Sequence, residues 1–328
     1  MATILNIYDQ ALNVETFRMG VFGGFEIIEY SSQHAIATDG RQFLHFSGKF
    51  TYGDNGWLSG GTISSLQLWT SAPSITVSFF SLPVTEFSLA ALNNEQIINL
   101  SFFDGDMRIR TGDYPDFLRG KAGNDYIYSE GGDDTVFGGA GIDVIEGGSG
   151  RNYLRGDDGN DRITGGDDFD DLHGNAGNDT LRGAAGDDWV VGGKDNDVLY
   201  GEDGHDIVYG NLGDDTCDGG YGNDLIRGGQ QNDVLYGGAG DDWLSGDRDS
   251  DTISGGTGAD IFHTFGDAGI DRVLDFNPAE GDRVQLDPGT TYSVAQVGAD
   301  TVISMGGGGQ MTLVGVNMAA LTDGWIFI

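Results

Sequence analysis

Residues 237–245 read Gly237-Gly238-Ala239-Gly240-Asp241-Asp242-Trp243-Leu244-Ser245, and residues 138–146 read Gly138-Gly139-Ala140-Gly141-Ile142-Asp143-Val144-Ile145-Glu146. Both are the same nine-residue pattern, and that pattern decides the fold. Laid out in nines from Gly120, sixteen units run to His263 without a gap. Slot one is Gly in fifteen units, with Ser129 the exception, and slot four is Gly in twelve, replaced by Asp168, Asp195, Gln231 and Asp249. Slot six is Asp at Asp125, Asp134, Asp143, Asp161, Asp170, Asp179, Asp188, Asp197, Asp206, Asp215, Asp224, Asp233, Asp242, Asp251 and Asp260, with Asn152 the exception. Slot eight is apolar throughout, from Ile127 to Phe262, and Cys217 stands where Leu or Val stands elsewhere.

A short fixed period marks a repeat architecture whose units bury a core only by stacking. Gly at slots one and four permits positive φ, so each unit can reverse in about six residues and leave three for a short strand with slot eight inward. Two units make one coil. The predicted fold is all-β: a parallel β-roll of about eight 18-residue coils, two sheets enclosing an aliphatic spine. At ~4.8 Å per coil the stack is about 35 to 40 Å long.

Composition agrees and excludes other classes. The 328 residues include 58 Gly but only 5 Pro, with no triplet period, so neither collagen nor a Pro-rich linker fits. With 38% hydrophobic and 11% aromatic residues the chain can bury a core. Fifty-two acidic side chains against 16 basic ones leave a formal charge of −36, which repels nucleic acid and anionic lipid and makes cations the expected partner. The start, MATILNIYDQALN, lacks the regions of a cleaved secretory signal, and the longest apolar stretch, around Ser74 to Val84, is too short to span a bilayer. A single cysteine allows no internal disulfide, so stability must come from packing or a bound ligand, and Cys217 reads as a small buried thiol.

The charge has an address. Residues 120–263 hold 32 acidic and 8 basic residues and 36 of the Gly. Stacking brings each slot-six Asp beside the Asp of the next coil, in a row along each edge of the roll. Such rows oppose folding unless neutralised. Oxygen-only ligands at flexible spacing suit Ca²⁺ better than Mg²⁺ or a transition metal, and no Cys/His cluster offers a zinc site. The fifteen slot-six Asp residues are therefore the candidate metal ligands. Second acids at slot five, Asp133, Asp187, Asp214 and Asp241, are expected to be solvated surface charge.

The pattern G-G-x-G-x-D-x-U-x resembles the haemolysin-type calcium-binding repeats of the RTX family. That resemblance implies a parallel β-roll holding one Ca²⁺ between adjacent turns of an edge, through slot-six carboxylates of consecutive coils and carbonyls of turn glycines. It implies ten or more ions, and at most about 14 for sixteen units. Asp195, Gln231 and Asp249 fall on one edge, which is expected to be irregular there, with weaker or missing ions, as near Asn152 on the other edge. Gly258-Ala259-Asp260-Ile261-Phe262, Asp271, Asp275-Phe276, Gly281-Asp282 and Leu286 resemble the run that closes such rolls. Thr301–Met305 and Met311–Val316 read as strands of this cap. Trp325-Ile326-Phe327-Ile328 resembles an uncleaved type I secretion signal and equally fits a final cap strand, so the family implies an extracellular, secreted protein.

The predicted organisation is a β-rich N-terminal domain or cap over 1–101, the RTX roll over 102–263 and the C-terminal cap over 264–328. Alternating runs at 43–52 and 74–79 predict antiparallel strands, and 102–119 read as degenerate first turns with Asp116 and Leu118 in slots six and eight. Neither H-E-x-x-H nor G-x-S-x-G occurs, and His34 and His45 with Ser31, Ser32, Asp39 and Glu29 match no hydrolytic mechanism, so no enzyme is expected. Outward Tyr153, Trp189 and Trp243 are either ordinary sheet aromatics or a glycan contact. The expected function is a secreted calcium-binding protein with a structural, adhesive or surface-assembly role, its other partners an extracellular glycan or further copies of itself. The alternative is a secreted enzyme or polysaccharide-binding protein whose site lies in the N-terminal domain.

Overall fold

The computed structural model describes residues 105–328 throughout and, before them, the backbone of seven strands between Glu26 and Asn99. The side chains of His34 and His45 lie outside the described residues. The chain forms two compact units, 1–154 and 155–328. The fold is an all-β parallel β-roll; among the described residues the one helical element is a single turn, Met318–Ala320.

The first unit opens with antiparallel strands Glu26–Tyr30, His34–Thr38, Phe43–Tyr52 and Leu58–Trp69. The expected strand at 43–52 is present with those bounds, whereas the one at 74–79 is a three-residue strand, Ser74–Thr76, and pairs in parallel. Parallel winding thus begins upstream of the nonapeptides. Leu66 pairs with Phe87, Phe87 with Ile109, Ser74 with Ile97 and Gln96 with Asp116. Once the repeat is established the step is 18 residues, as in Tyr126 with Arg108 and with Val144.

In the second unit every ladder from Arg162 to His263 keeps that step. One face runs through Leu181, Leu199, Cys217, Leu235 and Ile253, the other through Leu172, Val190, Val208, Ile226, Leu244 and Phe262. Each of these slot-eight side chains is fully buried. Cys217 fills one step of the aliphatic row, and burial pushes its thiol pKa up, consistent with an inert core residue.

Two sequence expectations need correction. The strand is six residues rather than three, running from slot seven to slot three of the next unit, as in Val198–Asp203. Positive φ falls at slots two and four, not one and four: Gly220 and Gly222 sit at φ 106° and 121°. Slot-one Gly is a buried strand residue, and its requirement is steric. A Cβ on Gly201 would lie 2.3 Å from an Asp206 carboxylate oxygen and 2.5 Å from the Gly219 carbonyl.

The expected irregular edge is also absent from the backbone. Asp195, Gln231 and Asp249 keep a positive φ, at 71°, 80° and 75° against 146° and 139° for the slot-four Gly213 and Gly240, and the ladders continue past them. Asp tolerates this region through its short polar side chain, and the Gln231 N–H is held by Asp249 Oδ2 at 3.1 Å.

Phe262 ends one row of the spine, 5.8 Å from Phe276, whose ring meets Trp325 at 6.3 Å. Ile270–Val273 and Arg283–Leu286 extend the two faces into the cap. Asp300–Met305 and Gln310–Leu313 form the expected cap strands, and Ile326–Phe327 pairs in parallel with Val284 and Gln285. Trp243 stacks on His263 at 5.0 Å and donates its indole N–H to Gln285 at 2.9 Å, so this aromatic belongs to the packing of the cap.

Leu235→Ala should lower the stability of the calcium-loaded protein by about 2–5 kcal/mol through the cavity it leaves. Cys217→Val should cost less than about 1.5 kcal/mol, because volume and apolarity are nearly kept. Urea denaturation in calcium compares them, and equal losses would contradict the spacer role of Cys217.

Candidate metal centre

The slot-six carboxylates are built by backbone stacking. Asp206 accepts the Asp188 N–H on Oδ1 at 2.8 Å and donates its own N–H to Asp224 Oδ1 at 2.8 Å. The same bond links Asp170 to Asp188 and continues through Asp224, Asp242 and Asp260 on this edge. Asp161, Asp179, Asp197, Asp215, Asp233 and Asp251 are linked alike on the other. In the first unit Met107 donates to Asp125, Asp125 to Asp143, Asp116 to Asp134 and Asp134 to Asn152. All fifteen candidate aspartates are buried and share this position.

One carboxylate oxygen is thereby used; the other is the chemically significant one. Oδ2 of Asp125, Asp179, Asp188, Asp197, Asp206, Asp215, Asp224, Asp233, Asp242 and Asp260 is buried and receives no hydrogen bond. It lies against the slot-one glycine, beside a main-chain carbonyl of the next coil, as Gly201 and Gly210 show. Asn152 reveals what this position faces. Its Oδ1 keeps the ladder bond from Asp134 at 3.1 Å, while its Nδ2 donates to the slot-four carbonyl of Gly150 at 3.1 Å. Where the residue is Asp, an acceptor oxygen occupies the place of that amide donor.

Electrostatics follow from this burial. Asp188, Asp215, Asp224 and Asp260 are pushed up to about 6. Asp125, Asp179, Asp206 and Asp242 reach about 7, Asp134 and Asp197 about 8, and Asp233 about 9. Desolvation is the largest cause in each, the N–H received at Oδ1 opposes it, and neighbouring carboxylates add to it. Burial likewise raises the Asp251–Asp271 pair.

The rows close on protein donors. Asp271 accepts the Asp251 N–H and, on Oδ2, the Thr264 hydroxyl at 3.4 Å; Asp282 accepts the Asp260 N–H and, on Oδ2, the Asn277 N–H at 2.7 Å. Between these ends a cation would supply the missing positive partner. Among the described residues no three His, Cys, Asp or Glu side chains converge on one point, so a site here must draw on main-chain carbonyls. Carboxylate and carbonyl oxygens of this kind fit a hard, geometrically tolerant ion, which is Ca²⁺.

Slot five carries a second ladder that the sequence reading missed. Asp133, Asp187, Asp214 and Asp241, expected as solvated charge, accept the backbone N–H groups of Arg151, His205, Asn232 and Ala259 at 2.8 to 3.0 Å. Asn160, Asn178 and Asn223 do the same. These bonds run opposite to those of slot six, and the signal available was the recurrence of Asn and Asp at slot five.

The RTX calcium-binding nonapeptide repeat matches seven segments that together cover residues 110–273, half of the chain. The chain belongs to this family. It is a calcium-binding β-roll protein. Among solved structures it is similar to the AlgE6R3 subunit of the mannuronan C5-epimerase of Azotobacter vinelandii, at 27% identity over 41% of this chain and 78% of that one, with a TM-score of 0.27. The extracellular lipase LipA of Serratia marcescens matches at 19% identity over 55% of this chain and 40% of the lipase, with a TM-score of 0.24. No curated protein matches the chain.

Asp206→Asn should place an amide N–H where Asn152 has one and lower the calcium stoichiometry by about one or two ions, whereas Asn152→Asp should raise it by about one. Ion counting by atomic emission after gel filtration reads both. Acid carries its own sign. Each raised carboxyl stabilises the metal-free roll most below about pH 4, where it is protonated folded and unfolded alike, and this contribution is lost as pH rises through 6 to 9. Protons compete with the metal, so calcium affinity should fall by more than about tenfold between pH 8 and pH 5.5. Calorimetric titration at the two pH values checks it.

Proposed function

We propose that the fifteen slot-six aspartates, Asp125 to Asp260, together with adjacent turn carbonyls, hold Ca²⁺ along the edges of the roll. The protein is exported unfolded by the type I route and folds on meeting calcium outside the cell. The observation that carries this is the buried second oxygen of slot-six carboxylates such as Asp206 and Asp215, which receives no hydrogen bond and lies beside a main-chain carbonyl. Its role is structural or adhesive rather than catalytic, in contact with an extracellular glycan or with further copies of the chain.

Magnitudes support folding on ion binding. Extracellular calcium modules bind with dissociation constants of roughly 10⁻⁴ to 10⁻³ M. At about ten times that concentration each site stabilises the folded form by ~1.4 kcal/mol, so a handful of sites matches a large part of the ~5–15 kcal/mol typical of a domain. At the far lower free calcium of a cytoplasm that contribution vanishes, and the repulsion between stacked carboxylates remains.

In excess chelator at pH 7.5 the far-ultraviolet circular dichroism of the roll should be lost, and it should return cooperatively as calcium is added. Cys217, fully buried in the roll, serves as an independent reporter: it should react with a thiol reagent at least about a hundredfold faster without calcium. A roll signal that persists in chelator, with Cys217 still protected, would overturn calcium-driven folding.

A further inference from the structure

The second unit carries a groove of about 340 Å³ that the calcium rows do not use. It lies across strands Ile207–Leu212, Leu225–Gln230 and Trp243–Asp247, on one face of the roll. Asn211, Gly229 and Asp247 are stacked slot-two residues of successive coils, and Gly229, with Gly228, leaves a floor of bare backbone between larger neighbours. Tyr209 and Phe265 line it with aromatic surface, and Asn211 and Gln230 line it with amides.

Two guanidinium groups meet in this groove, in a chain with only 16 basic residues against 52 acidic ones. Arg227 is already fixed: its Nε and a terminal nitrogen contact Asp247 Oδ2 at 2.8 and 2.7 Å, and it lies 5.8 Å from the Tyr209 ring centre. Asp247 is further held by the Ser245 hydroxyl at 2.8 Å. Arg248 is different. Its backbone N–H is tied to the Gly229 carbonyl at 3.0 Å, while its exposed side chain makes no ion pair or hydrogen bond with any described residue. Asp249, the next acid along the chain, turns its carboxylate to the Gln231 N–H at 3.1 Å. The groove is thus a net positive spot on a polyanion, with one planar donor fork uncommitted.

We propose that this groove binds an acidic sugar, its carboxylate on Arg248. A guanidinium offers two parallel donors to a carboxylate, the flat rings of Tyr209 and Phe265 suit the C–H face of a pyranose, and the amides of Asn211 and Gln230 suit its hydroxyls. Inorganic phosphate would use the charge but neither the aromatic walls nor most of the volume. Binding requires the roll to be folded but not any particular ion count.

The test uses the full chain in calcium, with circular dichroism confirming the folded roll in every sample, so that a failure of calcium-driven folding is seen separately. Glucuronate, glucose, benzoate and inorganic phosphate are titrated by ligand-observed NMR. Glucuronate should bind at least about fivefold tighter than each of the other three. Arg248→Ala should weaken it about tenfold, Arg248→Lys should restore part of the loss, and Asn211→Ala should cost about two- to threefold. Equal affinity for glucose, preference for phosphate or benzoate, wild-type affinity in Arg248→Ala, or no binding of glucuronate up to about 50 mM by the folded wild type would overturn the proposal.

Discussion

Each Asp-bearing turn of this roll ties one carboxylate oxygen into the stack through a backbone N–H and sets the other beside main-chain carbonyls. Asp206 and its neighbours show the arrangement at full regularity. A buried acceptor with no donor opposes folding by a few kcal/mol, more when it is charged. Repeated coil after coil, that cost can be met only by a proton or a cation. Everything else about the roll is arranged around this pairing of acceptors. Slot-one glycine gives the carboxylate room, positive φ at slots two and four turns the chain, and slot eight supplies apolar burial for stacking.

The two polar ladders divide the work. Slot six sends backbone N–H groups up the stack and slot five receives them from the following coil, so both sides of each turn are tied to neighbours without help from any ion. The turns are therefore spaced and oriented by the protein itself. What remains unsatisfied is confined to a narrow line of oxygens, which suits an ion that tolerates irregular oxygen shells. Asn152 and the capping residues Thr264 and Asn277 show the alternative: where a protein N–H or O–H reaches the second oxygen or its carbonyl partner, the place of a cation is taken by an internal hydrogen bond.

Much of this was legible in the residues. The nine-residue period, the inward slot eight, the acidic rows and the cap could be read because each depends on short-range pattern: a fixed step, an alternation, a recurring residue type. The misassigned glycines mark the limit of that logic. Gly is needed at slot one for contact with a carboxylate five residues later and a carbonyl eighteen residues later, and a single unit contains neither the second contact nor a reason to prefer sterics over φ. The slot-five acids are exposed as expected, but the ladder they form was invisible for the same reason, since their partners are N–H groups one coil away. Parallel winding before residue 102 had no nonapeptide to announce it, because there the coils differ in length.

By itself the sequence determined the coil length, the identity of the core row and the chemical hardness of the ligand, because these follow from which residue types recur and how often. Only the tertiary structure decided which oxygen of carboxylates such as Asp206 is left without a donor, that Asp195, Gln231 and Asp249 keep a positive φ, and that Arg248 stands uncommitted beside the bare backbone of Gly229. Each of these is a relation between coils rather than within one. In a solenoid, neighbours in space are a full turn apart in sequence, so contacts between coils are written in no single repeat and exist only once the coils are stacked.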